Sequence, residues 1–143
     1  MKEIIKVILI ILAISAALLL AGRCVNSQAN LQNTAENSVK FMQGYILRYN
    51  GIHYKSLDFD EIVPVYLSDE DSTIIGYYID HRFTTVKKHP TLYDVSHKRY
   101  YLDRDCSLVL DMKPIWPGHE EPENDDEGIA SIRADYLSKE SQE

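Results

Sequence analysis

The chain has 143 residues, 45% of them hydrophobic and 26% charged, with a net charge of −7 at neutral pH. This composition excludes a chain that is disordered throughout, and the residues after Gly22 suffice for one modest core. The acidity is local, because Met1–Lys113 holds thirteen Lys/Arg and thirteen Asp/Glu while Pro114–Glu143 holds two and nine; the net charge therefore excludes nothing about the surface of the domain itself.

The chain opens on Ile4–Gly22, nineteen residues that are apolar or small except for Lys6 and Ser15. As a helix they span about 28 Å, close to the ~30 Å hydrocarbon core of a bilayer. The stretch reads as a retained membrane anchor, as a signal peptide cleaved at Ser27-Gln28-Ala29, or as the leader of a lipid anchor at Cys24. A buried helix of a soluble core is the remaining alternative. Leu20-Ala21-Gly22-Arg23-Cys24 resembles the bacterial lipobox, whose cysteine is lipidated, with Arg23 standing where that motif carries a small residue. Lys2 and Lys6 ahead of the run, against Arg23 behind it, favour an N-terminus inside and the rest of the chain outside the cytoplasmic membrane. Cys24 and Cys106 are expected as free thiols, since pairing would require a hairpin turn to lie against the anchor.

From Leu31 to Tyr49, the positions Leu31, Ala35, Val39, Met42, Ile46 and Tyr49 recur at helical spacing, with Phe41 and Tyr45 widening the stripe and Asn50-Gly51 as the stop. This predicts an amphipathic helix whose stripe covers a sheet, with a coiled-coil seam for self-association as the functional alternative. After Gly51 the period becomes alternating. Strands are predicted over Tyr54–Phe59, over Ile62–Leu67 with Pro64 marking an edge, and over Thr73–Val86, the clearest of them. That last strand puts Ile75, Tyr77, Ile79, His81 and Phe83 on a buried face and Gly76, Tyr78, Asp80, Arg82 and Thr84 on the other. Lys87-Lys88-His89-Pro90 breaks it, and Ser96–Asp103 and Ser107–Lys113 form a hairpin across Arg104-Asp105-Cys106. Pro114-Ile115-Trp116-Pro117 ends the sheet. His119–Glu127, with six acidic residues among nine, reads as a solvated linker, and Ile129, Ile132 and Tyr136 return at helical spacing.

The chemistry-bearing residues form no catalytic signature. The acidic clusters Asp58–Glu61 and Asp69–Asp71 lack the alternation, glycine and closing glutamate of a calcium loop. The five histidines show no zinc-ligand spacing, and His81, inward-facing, is expected to be a satisfied core or rim residue. No serine sits in a glycine-flanked elbow and no glycine-rich loop would cradle a phosphate. No cofactor, metal or catalytic residue is assigned. Arg82–Arg104 carries six basic residues against two acidic ones, with Tyr93, Tyr100 and Tyr101 interleaved. It is read as a surface for anionic lipid headgroups or for the acidic tail, of the same molecule or a neighbour, rather than for nucleic acid.

The predicted fold is thus α+β: an N-terminal apolar membrane helix, one amphipathic helix packed on an antiparallel meander of four or five strands, and a disordered acidic tail. Residues 1–24 form the signal or anchor, 25–116 the domain, and 117–143 the flexible tail with a short helix at 129–138. Tyr54–Phe59 after a helix, then Gly76–Phe83, then Tyr100–Asp103, resemble small exported, lipoprotein-like bacterial proteins of unknown function, a resemblance that implies the same helix-plus-meander fold and no activity. The predicted function is non-enzymatic: a membrane-tethered or exported domain binding a protein partner at the cell envelope, with self-association open. An immunity-type inhibitor and a structural or pilin-like envelope component are the alternatives. The partner-binding residues assigned are Tyr78, Asp80, Arg82, Lys98 and Arg99, with Cys24 the lipidation site.

Overall fold

The computed structural model describes residues 27–86 and 93–142. Ile4–Gly22, Cys24 and the Lys87–Pro90 break lie outside the described residues, and so do the expectations placed on them. The chain divides into two compact units, Met1–Leu31 and Gln32–Glu143. In the first, the described residues 27–31 are helical. The second contains the sheet and its covering helices. Helix α1 runs over residues 27–49, followed by β1 (His53–Phe59), β2 (Val63–Ser68), β3 (Asp71–Val86), β4 (Tyr93–Leu102), β5 (Val109–Pro114) and α2 (Asp125–Glu140). Among the described residues no helix is long and apolar enough to cross a membrane.

The sheet is antiparallel and built on β3. β4 pairs with it along one side, from Tyr77↔Leu102 to Val86↔Tyr93. On the other side β1 and β2 lie end to end, β1 against His81–Val86 and β2 against Asp71–Tyr78. β5 closes the far edge against β4. β2 is an edge strand, which suits Pro64, because proline has no N–H to give to a second neighbour. Asp69-Glu70 turn β2 into β3, and the Asp71 carboxylate accepts the Thr73 N–H at 2.8 Å to fix the entry.

One face of this sheet is covered by α1. Ala35, Val39 and Gln43, at steps of four, are its buried line, and Gln43 meets Tyr100 on the sheet face where Ile79, His81 and Phe83 are buried. Gln43 is tolerated inside because its Oε1 accepts the Tyr100 hydroxyl at 2.7 Å. A bulge between Ser56 and Asp58 expels Leu57, so that Tyr54 before it and Phe59 after it reach the same face. The helix ends in a Schellman turn: Gly51 at φ 68° gives its N–H to Arg48 O (3.0 Å) and Ile52 gives its own to Leu47 O (2.8 Å). At its other end Gln32 clamps the β1–β2 connection, donating to Asp60 O (3.0 Å) and accepting from Ile62 N (2.8 Å).

The opposite face carries the main correction to the sequence reading. It is not solvated, and residues after Pro117 are not a disordered tail: α2 packs across it, its Ile132 forming a core with Val65, Ile75 and Tyr101, flanked by Leu67, Tyr78, Leu110, Ile129 and Tyr136. Ile75 joins this core, against its predicted parity, because the β2–β3 register slips between Val65↔Gly76 and Tyr66↔Ile74 and the extra β3 residue reverses the alternation. Two glycines allow the close approach. A Cβ on Gly76 would lie 2.5 Å from the Ile132 side chain and 2.6 Å from Leu102 O, and one on Gly128 would strike the Tyr101 ring. Half of the acidity that reads as a linker is the start of this helix, while Glu120, Glu121 and Glu123 lie exposed in the connection before it. Asp125, Asp126 and Glu127 occupy its first turn and Lys139 its last, each sign complementing the helix dipole.

Candidate functional site

Four of the five predicted partner-binding residues, Tyr78, Asp80, Arg82 and Arg99, share the α2 face. Lys98 lies on the α1 face, paired in register with His81 and with its ammonium 5.8 Å from the Phe83 ring centroid; burial lowers its pKa. Arg99 is the hub of the α2 side. Its Nε and Nη2 donate to the two oxygens of Asp80 at 2.8 and 2.9 Å, its Nη1 donates to Asp125 at 3.0 Å, and its guanidinium lies 4.1 Å from the Tyr78 ring centroid. Its side chain is 6% exposed. Burial works against the charged form, but hydrogen bonds and charge from Asp80, then from Asp125, more than offset it, and the pKa rises above that of an ordinary arginine. Tyr101 donates its hydroxyl to the same Asp125 oxygen at 2.5 Å. The predicted contact between basic hairpin and acidic tail therefore exists within one molecule, and Arg99 makes it. This arrangement holds α2 onto the sheet and leaves Tyr78, Asp80 and Arg99 little surface to offer.

Arg82 is the solvated outlier, 45% exposed, with Asp58 at 2.8 Å and Asp60 at 3.4 Å. Asp60, Asp80 and His97 bring one donor atom each within 4.8 Å of one another, and His97 Nε2 is buried without a hydrogen-bond partner. Both Asp80 oxygens are already held by Arg99 and Asp60 by Arg82. A divalent cation would have to share these carboxylates with two guanidinium charges, so the trio is a poor cation site.

His81 is fully buried and fully used. Asp58 O lies 2.7 Å from its Nδ1 and the Tyr54 hydroxyl 2.7 Å from its Nε2, and the ring stacks on Phe59 at 3.7 Å between centroids. Burial lowers its pKa. It is the satisfied core histidine that its position on the strand predicts. Cys106 holds the turn after β4 at φ 57°, its carbonyl accepting the Ser38 hydroxyl of α1 at 2.8 Å and its buried thiol pushed up to about 12 by desolvation. Asp103 shapes that turn by accepting the N–H groups of Ser107 (2.9 Å) and Leu108 (3.0 Å).

The surface that stands out lies on the far side of α1. Phe41, Tyr45 and Tyr49, at steps of four, are 77%, 66% and 84% exposed, and Leu108, on the Cys106 turn, is 53% exposed. Between helix and turn lies a groove of about 610 Å³ walled by Phe41, Met42, Tyr45, Leu108 and Val109 and reaching Thr34 at its other end; none of its nine lining residues is acidic or basic. Helical periodicity detects these aromatics but assigns them to the buried stripe. The signal that could separate the two stripes is Gln43, whose spacing from Ala35 and Val39 marks a different inward line once Tyr100 supplies its partner.

Searches against protein-family models, curated proteins and solved structures return no match to this chain.

Proposed function

We propose that this protein acts by binding rather than by catalysis, as a domain tethered to or exported across the cytoplasmic membrane that receives an uncharged, apolar helical segment of a protein partner on α1. The observation that carries this reading is the aromatic ridge Phe41–Tyr45–Tyr49 beside a groove without acidic or basic lining. A contiguous apolar patch of this kind is comparable with the largest found on a typical monomer, and such patches often serve binding. Its i, i+4, i+8 spacing suits ridge-into-groove packing against another helix. Tyrosine and phenylalanine are the side chains that concentrate binding energy at protein interfaces, since they bring large area at small entropic cost. The apolar leader Ile4–Gly22 supports placement at the cell envelope, with Cys24 as a lipid attachment point.

The test is capture with the full, membrane-extracted chain, comparing wild type with the Phe41→Glu/Tyr45→Glu double variant and with Arg82→Glu. A partner protein recovered by wild type and by Arg82→Glu, but at least tenfold depleted with the double variant, is the expected result. Equal recovery by all three would remove α1 from the reading. The intact mass of the same preparation shows whether the leader is cleaved or Cys24 carries a diacylglycerol.

A further inference from the structure

The geometry points to a second copy of this chain as the occupant of the α1 groove, in a two-fold pair with the two α1 helices antiparallel. This inference rests on the binding role proposed for α1 and names its partner. The ridge and the groove overlap at Phe41 and Tyr45 and run past each other in opposite directions: Tyr49 lies beyond the groove toward the C-terminus, whereas the groove continues from Phe41 back to Thr34. At a rise of about 1.5 Å per residue, Phe41 to Tyr49 covers about 12 Å and Phe41 to Thr34 about 10 Å. An antiparallel neighbour with its two-fold axis near Phe41 therefore lays each ridge along the other's groove, and the same operation satisfies both ends at once, as an isologous contact demands.

Charge and area agree with this pairing. A two-fold contact sets each patch against its own copy, so a charged patch repels itself; here the groove carries no acidic or basic side chain, and Lys40 is tied to Glu36 at 3.3 Å. With aromatic side chains contributing about 150–250 Å² each, the exposed parts of Phe41, Tyr45 and Tyr49 amount to on the order of 450 Å² per copy. Two copies bury about 900 Å² before Leu108 and the groove walls are added, near the ~1,000 Å² at which a specific interface begins. The pair should therefore be reversible and concentration-dependent.

The test places the photoreactive residue p-benzoylphenylalanine at position 45 of the full chain, illuminated in the membranes of the producing cell and again after detergent purification. A dimer-sized adduct whose cross-link maps to residues 34–38 or 107–109 of the second copy is expected. It should be reduced at least tenfold when Phe41→Glu is added, with near-ultraviolet circular dichroism confirming that the variant stays folded. A cross-link mapping to residues 41–49 of the second copy overturns the antiparallel pair. An adduct to a different protein alone overturns the second-copy assignment while leaving the binding role of α1 intact. Adducts to lipid alone, or to nothing, remove both.

Discussion

The two helices cover opposite faces of one sheet and are built on opposite plans. α2 turns glycine, isoleucine and an aspartate inward, and its outward residues are charged or small apart from Leu137, which is 54% exposed. α1 turns alanine, valine and glutamine inward and three aromatics outward. A helix that needs only to complete a core has the composition of α2, because water is the best partner for its outer side. The larger apolar side chains of α1 face the wrong way for that purpose, and this contrast is what the binding role proposed for α1 rests on.

The comparison breaks most sharply at Arg99. Replacing it by Met leaves Asp80 and Asp125 facing each other across the α2 contact without a cation, and should cost about 3–5 kcal/mol in urea unfolding, the range for removing one partner of a buried pair. Loss below ~1 kcal/mol would mean that α2 is held by its apolar side alone. Gly128→Ala comes next. Its methyl meets the Tyr101 ring, and the overpacking should cost about 1–3 kcal/mol. Hydrogen exchange should rise in Asp125–Glu140 and stay unchanged in residues 32–49; equal rises in both would show that the two layers are not separable.

The α1 side responds to pH instead. Burial holds the His81 imidazole below its ordinary pKa of 6.5, so the unfolded chain takes up a proton there first as the pH falls. The stability due to neutral His81 is complete above about 6.5 and is lost as the pH drops through the lower folded value. Urea midpoints followed from about pH 7.5 to about pH 5 should fall more steeply for wild type than for His81→Gln. Parallel slopes would assign the titration elsewhere. The smallest effect on stability belongs to the ridge: Tyr45→Glu should shift unfolding by no more than about 0.5 kcal/mol, since the side chain is largely solvated. A larger shift at a protein concentration low enough for the chain to be monomeric would make the aromatics part of the fold rather than a free surface.

Much of this architecture is legible in the chain. Alternation from Thr73 to Val86 announces β3, Pro64 announces an edge, and Asn50-Gly51 stops α1 as the Schellman turn shows. Three features escape for physical reasons. Bulges at Leu57 and beside Ile75 reverse strand parity, and no alternation pattern records an inserted residue. Asp125, Asp126 and Glu127 suggest solvation because their helix-dipole role emerges only when a helix follows, and that helix offers few large apolar markers, Ile129, Ile132 and Tyr136 toward the sheet and Leu137 away from it. Arg99 and Asp80 look like surface charges in sequence; Asp125, more than twenty residues further on, is what converts them into a buried junction. The α1 ridge is visible as a stripe, but choosing which of two adjacent stripes faces inward requires knowing that Tyr100 has a hydroxyl waiting for Gln43.

The docking of α2 also sets an order of events. A chain that emerges N-terminus first can assemble β1 to β5 beneath α1 while Val65, Ile75 and Tyr101 still lack their cover, and it remains so until residues 125–140 have followed. During that interval the half-built domain presents an apolar sheet face, and Gly76 holds open the space into which Ile132 will close. Whatever delays or removes the C-terminal helix leaves a sticky and protease-sensitive intermediate rather than a shortened but sound domain.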